Sequence, residues 1–314
     1  MRLGYRNNFL INQNYTIMKK FFITVAAVIL PLIMFTACEK DNGTTGTLKL
    51  SITDAPIDSD GITGVYITVS EVQYHTDENG WKVFEDYEGP KSFNLLDLQR
   101  GESELLGSFE LEAGTYTQIR FMLDAPEMGM GQHANPGCYL EFEDGTTQNL
   151  FVPSGAQTGY KAVGQFTVPM NGEVEVTADF DVRKSVVKAG ASGKYLLKPT
   201  IRLVVDNQAG QIAGGVSNIP EGKDVVVYSY KEGTYDASEA DDPDIEETRF
   251  PNAVSSDMVD GEGAYHLAYL APGTYDLVVV AAVEGEFEEV LGIVEDILVE
   301  SKKTTSVQID IEEL

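Results

Sequence analysis

Cysteine is nearly absent. The 314-residue chain has two, Cys38 and Cys138. With Cys38 consumed by modification, as argued below, no intramolecular disulfide remains, and burial must hold the fold. Histidine is scarce as well: only His75, His133 and His266 could serve as imidazole bases, which leaves little room for a nucleophile–base–acid triad. Basic residues are outnumbered 22 to 50, for a net charge of −28. Residues 1–37 hold four of the basic residues and no acidic ones, so the chain from Cys38 onward stands near −32. That charge repels phosphate backbones and anionic headgroups, which argues against nucleic acid as a partner and against a basic membrane-binding patch. Helical periodicity is also missing. After residue 38 no stretch keeps a 3.6-residue apolar period beyond about two turns, a short helix near Leu95–Leu106 excepted.

One long apolar run is present, and it ends at Cys38. Lys19-Lys20 precede about 15 apolar residues, then Thr36 and Ala37, then the cysteine. The run suits a signal h-region and is short for a helix crossing roughly 30 Å of hydrocarbon. Small side chains before a thiol are what lipidation and cleavage by signal peptidase II require; Phe35 departs from the usual leucine. The expectation is a bacterial lipoprotein signal over 1–37, with lipid on Cys38. Met18 opens the charged n-region, so residues 1–17 read as a mis-assigned start. Residues 38–46, Gly/Thr-rich and polar, read as a tether. The lipid then makes the only membrane contact, which points to an outer-membrane, surface-exposed lipoprotein.

From Gly46 the texture is strands and turns. TLKLSIT alternates apolar and polar residues, GVYITVSEVQYH is β-branched and aromatic, and Asn79-Gly80 and Asp144-Gly145 supply hairpin turns. Strand signals recur at intervals of about 8–15 residues, as in antiparallel sandwiches. A polar, Gly-rich stretch, Asp206–Ser217, reads as a joint open to proteases. The expectation is all-β: two antiparallel β-sandwich domains in tandem, 47–206 and 211–314. Leu111-EAGTYTQIRF and Leu270-APGTYDLVVV repeat one pattern, in which Gly114 and Gly273 would turn the chain into a strand begun by an inward-packed Tyr116 or Tyr275. Pro272 suits the second position of a type II turn and puts Gly273 third, at positive φ. With two separate cores, a substitution at Gly273 is expected to weaken the C-terminal domain alone.

Two resemblances follow from these residues. Gly46-TLKLSITDAP, ITVSEVQYH, Leu111-EAGTYTQIRFML, LFVPSGAQTGYK and DFDVRKSV…GKYLLKPTIRLVV occur in order over 46–206 and resemble the bacterial lipoprotein family known as domain of unknown function 4382. Asp260-GEGAYHLAYLAPGTYDLVVVA resembles the carboxypeptidase regulatory-like domain, a prealbumin-type sandwich akin to Cna-B repeats, over 210–314. The second resemblance implies a stalk or accessory module, sometimes carbohydrate-binding-like, without catalytic residues of its own. The first implies no activity.

Several side-chain sets invite chemistry. Asp54, Asp58 and Asp60 offer oxygens suited to Ca²⁺, the one cofactor candidate, but no glutamate closes the loop at the twelfth position; the run reads first as a solvated turn. Met128, Met130, His133 and Cys138 combine thioether, imidazole and thiol, a soft set that favours Cu(I), and read otherwise as a mobile loop. Asp179, Asp181, Arg183, Lys184 and Ser185 read as surface ion pairs, and Lys198-Pro199 as a break in a strand. Residues 236–247 carry seven carboxylates and read as a solvated loop. Trp81 with Tyr87, or Tyr228 with Tyr230 and Tyr235, would serve as sugar-stacking platforms. The leading expectation is a non-catalytic, lipid-anchored envelope module contacting a glycan or an envelope protein. The alternative is a metal-handling or enzymatic protein built on the Met128/Met130/His133/Cys138 loop.

Overall fold

The structure is a computed structural model, and it describes residues 44–55, 61–76, 80–124, 137–152, 159–189, 193–244 and 247–314. Cys38, the signal run, Asp58, Asp60, Met128, Met130 and His133 lie outside the described residues. Thr45–Leu314 forms one compact unit. It is all-β; among the described residues no helix is long and apolar enough to cross a membrane.

Residues 45–205 build one thirteen-stranded sheet system: β1 Thr45–Ala55, β2 Ile62–Thr76, β3 Gly80–Val83, β4 Lys91–Asn94, β5 Glu104–Glu112, β6 Gly114–Leu123, β7 Tyr139–Phe142, β8 Thr147–Phe151, β9 Tyr160–Val168, β10 Glu173–Asp181, β11 Val186–Ala189, β12 Lys194–Leu197 and β13 Ile201–Val205. Its order is β11-β12-β8-β7-β2-β6-β9-β13-β10-β1-β5, with β3 and β4 also paired to β2. Alternation produces the core. Leu48, Leu50 and Ile52 of β1, Ile119 and Phe121 of β6 and Ala178 and Phe180 of β10 point into one apolar cluster. Both hairpin signals hold. Gly80 and Gly145 take positive φ, and β2 pairs with β3 and β7 with β8. The helix near Leu95 is shorter than its sequence suggests. A single 3-10 turn, Leu95–Leu98, is capped by the Asn94 side chain, and β5 takes up the residues beyond.

The remaining strands are β14 Gly210–Ser217, β15 Asp224–Lys231, β16 Ser255–Met258, β17 Ala264–Leu270, β18 Gly273–Val283, β19 Glu286–Val299, β20 Thr304–Ser306 and β21 Ile309–Asp310. One sheet holds β17-β14-β20 with β21, the other β16-β15-β18-β19. Tyr265, Tyr275 and Leu277 fill the space between them. Not every pair is antiparallel: β1 runs parallel to β10, β8 to β12, β9 to β13, and β14 to both β20 and β21.

The stretch expected to be an open joint is largely strand. β14 pairs with β17 on one side and β20 and β21 on the other. Its glycines are there for approach: a Cβ on Gly214 would stand 1.6 Å from the Val307 carbonyl oxygen. Polar composition misled because these residues meet backbone instead of water.

The repeat has a shared physical basis. The Tyr116 hydroxyl donates to the Glu112 carbonyl at 2.8 Å, and the Tyr275 hydroxyl to the Ala271 carbonyl at 2.8 Å. Each tyrosine is buried, and each ties its strand back to the chain four residues upstream. The two glycines differ. Gly114 keeps an ordinary φ with open space around it, so the need assumed for it is absent. Gly273 has φ +150°, and a Cβ there would meet the Lys231 ammonium at 3.3 Å. Gly273→Val is therefore expected to cost roughly 1–3 kcal/mol, read as a lowered denaturant midpoint, whereas Gly114→Ala should change little.

Candidate functional site

Three cations from the first sheet system reach into the second. The short helical turn Val182–Ser185 begins at Asp181, whose side chain accepts from the Lys184 amide. This turn aims Arg183 and Lys184 away from their own strand. Arg183 Nη1 donates to the Arg249 and Phe250 carbonyls, each at 2.9 Å, and its guanidinium lies 5.3 Å from the Tyr228 ring centre. Lys184 Nζ donates to the Ala253 carbonyl at 2.6 Å. Arg100, at φ +58°, completes the set. It donates to Asp260 Oδ2 at 2.7 Å, to Asp257 Oδ1 at 3.2 Å and to the Met258 carbonyl at 2.6 Å. In return the Tyr269 hydroxyl donates to the Gly101 carbonyl at 3.2 Å. These contacts form a polar clamp.

The clamp rewrites the acidic residues. Asp179 and Asp181 are buried, not surface ion-pair members. Asp179 accepts from Arg202 Nε at 2.7 Å, and Asp181 lies 3.1 Å from Lys184 Nζ and 3.7 Å from Arg183. Asp54 is buried as well, which corrects the solvated reading at that residue alone, and it accepts from the Val182 amide at 3.1 Å. Burial and the adjacent Asp179 charge push its carboxyl well above the usual range. Burial also raises Asp179. Burial pushes Asp257 up to about 6, partly offset by the His266 amide and Arg100. Ser185 donates to the Asp181 carbonyl at 2.6 Å and is buried, so it is no exposed nucleophile.

Above the clamp lies a cleft of about 660 Å³ to which both sets of sheets contribute. Ile62, Lys188 and Tyr195 line one wall, and Asp242, Arg249 and Phe287 belong to the other. Arg249 stacks 4.3 Å from the Phe287 ring centre and pairs with Asp242 at 2.8 Å. Tyr195 and Phe287 are half-buried, and both line the cleft. Small-ligand sites are mostly apolar with a few placed polar groups; this cleft sets its aromatic faces beside a larger share of charged hydrogen-bonding groups. Residue spacing could not reveal it, since its walls lie more than 30 positions apart.

The sequence candidates fare unevenly. Tyr228 and Tyr230 are 2% and 0% exposed and form no platform. They share one face of β15, and the segment carrying Phe250 and Ala253 closes over that face. Tyr228 and Phe250 ring centres are 4.6 Å apart, and Tyr235 stands 5.1 Å from Tyr230. The acidic segment is not a uniformly solvated loop. Ala237–Ala240 is a 3-10 turn with a capping box, and buried Glu239 accepts from the Tyr230 hydroxyl and from the Asn252 amide and side chain, each at 3.0 Å. Cys138 sits within the apolar core, and burial pushes its thiol up to about 12. The core burial of Cys138 argues against its place in the soft-ligand set, whose other members lie outside the described residues. Among the described residues no three His, Cys, Asp or Glu side chains converge as a metal site. Trp81 and Tyr87 are both half-buried but have different neighbours. Tyr87 donates to the Val69 carbonyl at 3.0 Å, while Trp81 stacks under Arg120.

Residues 45–199 match the family described as a domain of unknown function (DUF4382). The match runs from β1 to just beyond β12. No curated protein matches the chain. Among solved structures, a leucine-rich repeat protein from Bacteroides thetaiotaomicron is 13% identical over 85% of this chain and 27% of its own, with a TM-score of 0.21. The minor pilin of Streptococcus agalactiae is 13% identical over 83% and 94%, also at 0.21. A Pseudomonas aeruginosa protein described as a putative carbohydrate binding protein is 17% identical over 34% and 91%, at 0.20. This chain spans about a quarter of the first of these and about a third of a Bacillus anthracis protein called TIE. TM-scores of this size carry no argument about what the chain does.

Proposed function

We propose that the chain is a non-catalytic, lipid-anchored accessory module of the bacterial cell envelope that contacts carbohydrate in the cleft above the clamp. The observation that carries this reading is the cleft itself, a concave space of about 660 Å³ whose aromatic faces and charged groups come from both sets of sheets. A sugar ring can lie on the open part of Tyr195 or Phe287 while Lys188, Asp242 and Arg249 exchange hydrogen bonds with its hydroxyls. The clamp fixes the two walls, so little ordering entropy is lost on binding. The acids and the serine that might have suggested catalysis, Asp54, Asp179, Asp181 and Ser185, are instead engaged in holding the structure together. The resemblance of residues 210–314 to carboxypeptidase regulatory-like modules supports the same reading, as does the signal run for the anchor.

Binding of the purified full chain to a panel of neutral oligosaccharides tests the cleft. At least one should bind, and Tyr195→Ala and Phe287→Ala should each weaken it about tenfold or more with the fold intact. Binding unchanged in both variants, or no ligand in the panel, would reject the cleft. The anchor has its own expected result: Cys38→Ser should abolish incorporation of a radiolabelled fatty acid, since serine offers no thiol for acylation. Label retained on that variant would contradict the anchor.

A further inference from the structure

At the far end of β2 from the cleft, the outer face of the sheet carries a cationic–aromatic patch that the net charge conceals. Ile62 lines the cleft at the start of β2, and His75 lies thirteen residues on, roughly 40 Å away along an extended strand. Here His75 pairs with Trp81, Gln73 with Arg120, and Arg120 with Lys161 across β3, β2, β6 and β9. The Arg120 guanidinium lies 3.7 Å from the Trp81 ring centre, the Lys161 ammonium 5.8 Å away, and the His75 ring meets the indole edge-on at 5.1 Å.

Two features of the patch stand out. The first is that Arg120 lacks a carboxylate. Among the described arginines, Arg100, Arg183, Arg202 and Arg249 each have one within 4 Å, and Arg120 has none. Its neighbour Gln73 accepts from it at a long 3.4 Å, while Gln73 itself donates to Glu71. Arg120 Nε is buried without a hydrogen-bond partner, and burial lowers the guanidinium's pKa. The second is that Lys161 stands directly opposite Arg120 in the strand pair, and like charges so placed are destabilising. A chain with 50 acidic residues could have set one there. Exposed Val163 adjoins the patch, opposite Gln118.

We propose that this face binds an acidic saccharide, with a uronate-type carboxylate taken by Arg120 and Lys161 and the sugar ring lying beside the part of the Trp81 indole that Arg120 leaves open. The planar guanidinium suits a carboxylate bidentately, and its stacking on the indole fixes its plane in advance. The flat sheet face with Gln73 and Gln118 amides suits an extended polar polymer better than an apolar peptide. The overall negative charge does not prevent this. At physiological ionic strength charges beyond about 8 Å are largely screened, so the local cations govern contact. The site is separate from the cleft, and neither requires the other.

Trp81 is the chain's only tryptophan, so its fluorescence reports this site directly. The full chain should change emission saturably with oligogalacturonate and not with the same oligomer methyl-esterified. Arg120→Gln should weaken the binding roughly tenfold to a hundredfold at unchanged melting temperature. Arg120→Lys, which keeps the charge but not the fork, should fall between. No emission change with oligogalacturonate would overturn the proposal. So would equal binding of polyglutamate, which would mean charge alone, or a response to anionic phosphatidylglycerol vesicles without one to the saccharide, which would mean a membrane surface. Because Trp81 is remote from the cleft, a glycan bound only there leaves this signal still, and the two readings fail separately.

Discussion

Arg183→Met should be among the most damaging single substitutions in the chain, lowering stability by about 3–5 kcal/mol. The Arg183 side chain is 1% exposed. Methionine fills a similar volume, so the loss is electrostatic and not a cavity. It strips the Arg249 and Phe250 carbonyls of a donor and leaves Asp181 paired with Lys184 alone. Each buried acceptor left without a donor costs about 1–3 kcal/mol. Equilibrium urea unfolding measures the change. Arg183→Lys should recover part of it, since one ammonium cannot serve both carbonyls in the same geometry. A loss below about 1 kcal/mol for Arg183→Met would mean the clamp does not hold the structure.

Stability should also fall as pH rises through mild acidity. Asp257 is the clearest contributor: burial lifts its carboxyl from the usual 3.8 to about 6 in the folded state, and its side chain is 2% exposed. A raised folded value means the neutral acid is the form the fold prefers. The contribution is complete below pH 4 and is lost as pH climbs past about 6. The difference of two pKa units corresponds to about 3 kcal/mol over the whole window, of which about half lies between pH 5 and pH 7.5. Asp54 and Asp179, also raised by burial, act in the same direction. Asp260, held below the usual range by the Ala264 amide and Arg100, acts oppositely, and its side chain is 36% exposed. Unfolding midpoints measured from pH 5 to pH 7.5 should therefore decline, and Asp257→Asn should flatten the slope. A midpoint that climbs over that range would contradict the assignment.

The fold class was legible because alternation is a local property. TLKLSIT places Leu48, Leu50 and Ile52 inward with no reference to the rest of the chain, and Asn79-Gly80 and Asp144-Gly145 mark hairpins by their own backbone preference. The repeat at Tyr116 and Tyr275 was legible for the same reason. Burial of polar residues was not. Asp54, Asp179, Asp181 and Glu239 look solvated in sequence, and each is buried in the fold. Tyr228 and Tyr230 mislead in the opposite sense, since a tyrosine-bearing strand reads alike whether a loop lies over it or not. The Trp81 patch was half visible: the tryptophan stood out, but Arg120 and Lys161 join it only through the registers of β2 with β6 and β6 with β9. A net charge of −28 hides such a cluster entirely.

The central claim is that Arg100, Arg183 and Lys184 lock two separately cored β-sandwiches into one body. Differential scanning calorimetry of the full chain at pH 7.5 tests it most directly. One transition is expected, moved as a whole by Gly273→Val and split into two by combining Arg100→Gln with Arg183→Met. Two well-separated transitions in the unaltered chain, with Gly273→Val moving only one of them, would show that the sandwiches unfold independently and that the clamp does not couple them.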